Sequence, residues 1–449
     1  MDFPSQFIEH IQHCSGFDKA AFEAAHKEAV PVSIRYNPNK KIEIDQALER
    51  IPWTSQGYYL SERPSFILDP FWHAGVYYVQ EASSMFLEHA VRQTVDLNEN
   101  IKVLDLCAAP GGKSTLLQSI ITKESLLVSN EVIQTRVSIL RENMIKWGGM
   151  NVVVTHNDPA DFSAMEGFFD VMVVDAPCSG SGLFRKDTEA MDEWSLGNVK
   201  LCAERQKRIL ADAWAALKEE GVLIYSTCSY SEMENEQMTD WLLQNFNLVS
   251  VSLTVDKSWG MMEVISPMGG YGYRCWPDRV KGEGFFMAAF RKREATAESR
   301  IKSKRNTVPS VADKNIAASF IKKTTDIEWM MQGKYLTAIK ASQFENIQFL
   351  LERLRVRYAG VEAGIVVHGS FMPEHPLAIS YEIQPDMELI NLTEEQAISF
   401  LRKEDIGGVA FPKGWQWLGY RERGIGWIKS LGNRINNYYP KEWRIRQRV

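Results

Sequence analysis

A chain of 449 residues is too long for one ordinary core, so roughly two or three domains are expected. Its 45% hydrophobic and 24% charged residues suit a soluble globular protein, and a net charge of −6 with a pI near 5.9 excludes indiscriminate coating of nucleic acid. Six cysteines are too sparse for a disulfide framework, no apolar run reaches the length of a membrane span, and "MDFPSQFIEH" lacks the pattern of a signal peptide, which sets the expectation of free thiols and a cytoplasmic location.

In chain order, "PSQFIEHIQHC" and "FDKAAFEAAHKEAV" carry apolar residues at helical spacing, and "VSIRYNP" follows as a strand between Pro31 and Pro38. His10, His13 and Cys14 fall near one helix face, but no second ligand pair accompanies them and no metal site is expected. From Lys102 the pattern alternates. Strand "KVLDLCA" leads to a helix from about Ser114, and "SLLVSNE" leads to the helix "TRVSILRENMIKW". Strands "NVVVTHND" and "FDVMVVDAP" come next, followed by a long helix through "AERQKRILADAWAALKEE" that stops at Gly221. Strand "VLIYSTCS", helix "MENEQMTDWLLQNF" and strand "GFFMAAFRK" complete the region. Such alternation predicts an open, mostly parallel α/β sheet, with ligands at the carboxyl ends of its strands. The charged run from Arg291 to Ser310 reads as a linker.

The stretch "CAAPGGKS" ends like a phosphate-binding loop, with Gly112, Lys113 and Ser114 in place and Asp175 of "VMVVDAP" available for magnesium. Cys107, however, stands where that loop requires its first glycine. S-adenosylmethionine fits better, because Ala108, Ala109, Gly111 and Gly112 let the backbone pass close to a cofactor that has no phosphate. Glu131 ends the second strand, where a carboxylate accepts both ribose hydroxyls, and Asp158 follows the third strand, near the adenine edge. A dinucleotide is disfavoured by the absence of G-x-G-x-x-G.

Two cysteines follow the next two strands, Cys178 in "DAPCSGSGLFRKD" and Cys228 in "YSTCSYS". Free cysteines usually sit in cores, whereas these occupy polar loops that neighbouring strands can bring to one pocket. A methyl donor beside a nucleophilic thiol suits methylation of carbon 5 of a pyrimidine, a weak nucleophile until a thiolate adds to carbon 6. Asp175 would hydrogen-bond the ring around N3. The residues alone do not say which cysteine attacks.

"CAAPGGKS", "NDPADF", "DAPCSGSGLFRKD", "ERQKRIL" and "GVLIYSTCSYSEMENE" closely resemble the Nop/Sun family of RNA cytosine-5 methyltransferases. "VSIRYNP", "GVYYVQEASSM" and "GEGFFMAAFRK" extend the resemblance over roughly 32–292. The resemblance implies that Cys228 attacks carbon 6 and that Cys178 helps β-elimination of the product. It also implies that Cys107, Ala108, Ala109, Pro110, Gly111, Gly112 and Lys113 form the cofactor loop, with Glu131, Asp158 and Asp175 as further contacts. Lys113 and Arg185 become candidate substrate contacts.

The C-terminal part resembles the bacterial branch that modifies 16S ribosomal RNA and ends in a PUA-like domain. From Pro412 to Val449, nine Lys or Arg face two Asp or Glu, interleaved with Trp415, Trp417, Tyr420, Trp427, Tyr438, Tyr439 and Trp443. Many of these aromatics are expected to build a small barrel core, while the basic residues and remaining rings suit RNA. The expected layout is an N-terminal α/β RNA-recognition domain (1–98), a Rossmann-like methyltransferase domain (99–292), a linker (293–312) and a C-terminal region with a PUA-like α+β or β-barrel domain (313–449). A transfer RNA is the alternative substrate, a non-catalytic RNA-binding assembly factor the alternative class, and a monomer with no membrane contact the default.

Overall fold

In the computed structural model, which describes residues 3–296, 308–322 and 326–447, the chain opens with two short helices, α1 (Phe7–Ile11) and α2 (Lys19–Ala25). Asp18 caps α2 by accepting from the Ala21 amide at 3.0 Å. Strand β1 (Val32–Tyr36) pairs antiparallel with both β2 (Gly57–Leu60) and β3 (Tyr77–Val79), as the N-terminal α/β unit requires. Helices α3 (Pro70–His73) and α4 (Phe86–Thr94) lead out of it.

Strands β4 (Lys102–Asp105), β5 (Leu126–Asn130), β6 (Val152–Thr155), β7 (Phe169–Asp175) and β8 (Leu217–Thr227) are parallel, in the order β6-β5-β4-β7-β8. Val152, Val153 and Val154 are wholly buried, which an unbroken apolar strand covered by helices on both faces demands. Those helices are α5 (Gly112–Ile120), α6 (Gln134–Trp147), α8 (Leu196–Ala213) and α9 (Glu236–Asn245), with the short α7 (Thr188–Glu193), which buries no side chain, standing before α8. Strands β9 (Leu248–Val251), β10 (Met262–Ile265), β11 (Tyr271–Cys275) and β12 (Phe285–Lys292) extend the sheet antiparallel beyond β8. The strand order reverses at β4, so the loops after β4 and β7 open on one crevice.

The long helix expected to reach Glu220 ends at Ala213 instead. "LKEE" is made of good helix formers, yet Leu217 is buried against the sheet and pairs with Phe169, and residues 218–221 form a bulge before Val222 pairs with Val171. Tertiary burial overrides propensity there.

The middle part of the expected linker, 297–307, lies outside the described residues. Beyond it stand two units rather than one. Strands β13 (Ile327–Gln332), β14 (Tyr335–Lys340), β16 (Val361–Val367) and β17 (Ser370–Pro373) make one sheet, while β15 (Val356–Ala359) leaves it to pair antiparallel with β6. The C-terminal region thus covers an otherwise open edge of the Rossmann-like sheet and extends that sheet beyond 99–292. The last unit is the sheet β18 (Leu389–Asn391), β19 (Gly414–Tyr420), β20 (Arg423–Ser430) and β21 (Ile435–Asn437). Its aromatics are mostly core: Trp417, Tyr420, Trp427 and Tyr439 are buried, leaving Trp415, Tyr438 and Trp443 partly exposed. Trp443 and Trp72 flank the Lys146 ammonium at 5.5 and 3.8 Å, which fastens this unit to α6 and the N-terminal domain.

Candidate active site

The loop from Cys107 to Lys113 joins β4 to α5. Gly111 takes φ +116°, a conformation that favours glycine, and lets the chain turn into the helix. Three elements hold the loop from outside. Arg136 on α6 donates to the Ala109 carbonyl at 2.7 Å, Asn143 donates to that of Pro110 at 2.8 Å, and the Ala108 amide donates to the Asn130 carbonyl at 2.8 Å. Arg35, buried in β1, reaches Thr115 Oγ1 at 2.6 Å and the Gly112 carbonyl at 3.3 Å, so the N-terminal domain braces the start of α5. Burial pushes the Cys107 thiol well above its ordinary pKa, which keeps it protonated and unreactive.

The expected acids stand at the ends of consecutive strands. Glu131 is buried, accepts from the Ile133 amide at 2.9 Å and lies 3.3 Å from Arg136. Asp158 caps the turn after β6 and is half-exposed, 3.5 Å from Arg208. Asp175 accepts from Ser226 at 2.8 Å and from the Lys113 ammonium at 2.7 Å. Burial alone would lower the Lys113 pKa, but the charge and hydrogen bond of Asp175, then the charge of Asp105, outweigh it and hold the ammonium above the ordinary lysine value. The Cys228 sulfur is near enough to add to that effect.

The two cysteines meet. Cys178 Sγ and Cys228 Sγ are 3.1 Å apart, both as free thiols at the ends of β7 and β8. Gly182 makes the approach possible: its amide donates to the Cys228 carbonyl at 2.8 Å, and a Cβ there would lie 2.7 Å from that oxygen. The hydrogen bond to Cys228 and then burial push the Cys178 thiol well above its ordinary pKa. The N-terminal helices close over this loop pair. His10 bonds Ser231 at 2.8 Å and Cys14 the Tyr230 carbonyl at 3.5 Å, which uses both residues for docking.

Arg185 does not stand ready for RNA. Its guanidinium is buried, pairs with Glu283 at 3.1 Å and donates to the Ala25 and Gly282 carbonyls, so it ties α2 to the loop before β12. A basic residue in a loop reads as solvated because the acid that buries it lies 98 positions away.

Sequence reasoning missed three residues that shape the site. Asn130 stitches the loops after β4 and β6 together, donating to the Leu106 and Asn157 carbonyls and accepting from Thr155 and the Asn157 amide. Glu234 lies under both cysteine loops. Asp105, wholly buried at the end of β4, accepts from Ser114 at 2.6 Å through one oxygen, while its other oxygen has no protein partner. Burial, opposed by the Ser114 hydrogen bond, raises the Asp105 carboxyl from an ordinary 3.8 to about 7. A raised folded pKa means the neutral form is the stable one, so its contribution is full below the unfolded value and is lost as pH rises through about 7. Asp105→Asn is therefore expected to raise the melting temperature of the ligand-free protein at pH 8 and to leave it unchanged at pH 4. Equal melting temperatures at pH 8 would show that Asp105 is not strained by ionisation.

The chain is similar to known methyltransferases along most of its length. Residues 92–291 match the family described as 16S rRNA methyltransferase RsmB/F, residues 3–82 the N-terminal domain of 16S rRNA methyltransferase RsmF, and residues 388–445 the methyltransferase RsmF PUA domain. The chain is 31% identical over 415 residues to ribosomal RNA small subunit methyltransferase F of Psychromonas ingrahamii, covering 88% of this chain and 85% of that one. It is 29% identical over 465 residues to the protein of that name from Photobacterium profundum, covering 98% and 96%. Among solved structures, a methyltransferase homologue from Pyrococcus horikoshii superposes with a TM-score of 0.54 at 28% identity, over 65% of this chain and 95% of that one.

Proposed function

The chain belongs to the RsmB/F family of 16S rRNA methyltransferases, and from that premise we propose how its geometry methylates carbon 5 of a cytosine in 16S rRNA. The contact between Cys178 and Cys228, beside Lys113 and Asp175, carries the reading. The residues present fit S-adenosylmethionine. Glu131 and Asp158 suit the ribose and adenine, the small residues of 107–112 suit close backbone approach, and the unpartnered oxygen of Asp105 suits the cationic amino-acid end. When bound, that cofactor supplies an electrophilic methyl group.

The target base leaves its stack to enter the crevice, at a cost of about a few kcal/mol. Cys228, as a thiolate stabilised by the Lys113 ammonium, adds to carbon 6 and turns carbon 5 into an enamine-like nucleophile. Asp175, oriented by its contact with Lys113, hydrogen-bonds the ring around N3. Once carbon 5 carries the methyl group, Cys178 passes its proton to the Cys228 sulfur as the sulfur–carbon bond breaks. The Cys178 thiolate so formed takes the carbon 5 proton, which leaves 5-methylcytosine and two thiols.

Trp415 and Tyr438, 4.5 Å apart with Lys429 over the Trp415 ring, are the exposed remainder of the aromatic tail and provide a stacking platform for the RNA. A ribosomal substrate supports a cytoplasmic location. Bisulfite sequencing of total RNA from cells with and without the protein tests the assignment. One 16S cytidine is expected to become convertible when the protein is absent; a change confined to transfer RNA would move the enzyme to the other substrate class, and no change at any cytidine would remove the activity.

A further inference from the structure

Both cysteine motifs read Cys-Ser, and the structure gives the serines one common partner. The Glu234 carboxyl accepts from the Ser179 amide at 2.8 Å and the Ser179 hydroxyl at 2.6 Å. It also accepts from the Ser229 hydroxyl at 2.5 Å. The two hydroxyls are themselves 3.2 Å apart, and Gln206 adds a fourth donor at 3.3 Å. Glu234 is wholly buried, and its neighbour Asn235 fixes the same loop by accepting from Thr227 at 2.6 Å and donating to the Ser229 carbonyl at 2.8 Å.

We propose that Glu234 is a positioning residue that clamps the serine after each cysteine and so holds the two thiols in contact. No other carboxylate among the described residues is hydrogen-bonded to both cysteine loops. Its hydrogen bonds fix the residues adjacent to Cys178 and Cys228, so a shift at Glu234 is transmitted one residue along each loop to the sulfurs. Burial raises the Glu234 pKa and its hydrogen bonds oppose that rise. The carboxylate also adds to the raised pKa of Cys178, after the Cys228 hydrogen bond, burial and the Cys228 charge. The clamp matters most where both sulfurs act together, in product release. The inference rests on the roles proposed above for the two cysteines.

Full-length Glu234→Gln and Ser229→Ala variants test it. Glu234→Gln keeps the shape of the side chain, and Ser229→Ala removes the arm to the Cys228 loop together with the acceptor of the Ser231 amide, so either can report if the other fails to fold. Proximity is read without RNA or cofactor: diamide takes two protons and two electrons from the thiol pair, and mass spectrometry follows the Cys178–Cys228 disulfide. The expected result is slowing by about tenfold, the scale of one charge-assisted hydrogen bond. With rRNA and S-adenosylmethionine, kcat is expected to fall while KM stays, and a covalent RNA adduct to build up in the steady state. Wild-type rates of disulfide formation in both variants would overturn the clamp. Cys178→Ala run on the same gel separates the two ideas: if it traps no adduct, the cysteine roles fall while the disulfide rates still judge Glu234.

Discussion

Cys178→Ala is expected to stay on its RNA as a slow band in a denaturing gel, while Cys228→Ala forms no such band and transfers no methyl group. The difference follows from the roles proposed for the two sulfurs. The Cys178 thiol is pushed up by its hydrogen bond to Cys228 and by burial, which suits it to give a proton to the departing sulfur. In the mechanism proposed above, Cys228 is the sulfur that forms the bond to carbon 6. Removing it eliminates covalent activation, a loss on the order of ten-thousandfold or more. Removing Cys178 leaves attack and methylation intact but takes away the only thiol 3.1 Å from the departing sulfur, so the adduct accumulates toward one RNA per enzyme. The double variant should behave as Cys228→Ala does. A trapped band from Cys228→Ala, and none from Cys178→Ala, would exchange the two roles.

What the sequence made legible were features encoded within a few consecutive residues. "CAAPGGKS" and the two Cys-Ser motifs are local, and the alternation of strands and helices places each at a strand end on the same rim. Glu131 and Asp158 were legible for the same reason, as the first acids after apolar strands. Groups whose meaning depends on a distant partner were not. Glu234 looks like any acid of "SEMENE" until Ser179, 55 residues earlier, is brought against it. Arg185 looks solvated until Glu283 arrives, and Arg35 until Thr115 does. Asp105 escaped notice because the sequence shows an ordinary strand residue, whereas its significance lies in an unpartnered oxygen deep under the loop. The aromatic tail is a mixed case, expected to serve both a small barrel core and RNA. Its composition suits RNA, yet packing uses most of its rings as core and leaves Trp415 and Tyr438 for contact. The edge strand β15 had no local mark at all, since only the open side of β6 decides where it pairs.

Glu236→Ala is expected to be among the most destabilising single changes in the chain, because it strands a buried cation. Arg274 on β11 is almost wholly buried, and its guanidinium takes Glu236 in a fork, NH2 lying 2.5 Å from one carboxylate oxygen and 2.6 Å from the other. Its remaining arm donates to the Tyr230 carbonyl at 2.7 Å, two residues past Cys228. Burial by itself would lower the pKa of that guanidinium, and the charges of Glu236 and Cys14 with the Glu236 hydrogen bond together outweigh it. Breaking such a pair from one side costs about 3–5 kcal/mol, since the remaining charge keeps its desolvation penalty without its partner. A drop of roughly 10 °C in Tm follows for a domain of this size, together with loss of methyl transfer as the Cys228 loop loosens. Replacing both residues, as Glu236→Ala with Arg274→Met, should recover much of the stability because no charge is then left buried. It should not recover activity, since the bond to the Tyr230 carbonyl is gone as well. Thermal melts and a methyl-transfer assay on the two single variants and the double complete the cycle. A double variant as unstable as the sum of the singles would mean that Arg274 is held mainly by its neighbours Trp276 and Phe286, whose rings lie 5.3 and 5.8 Å from it, and not by Glu236.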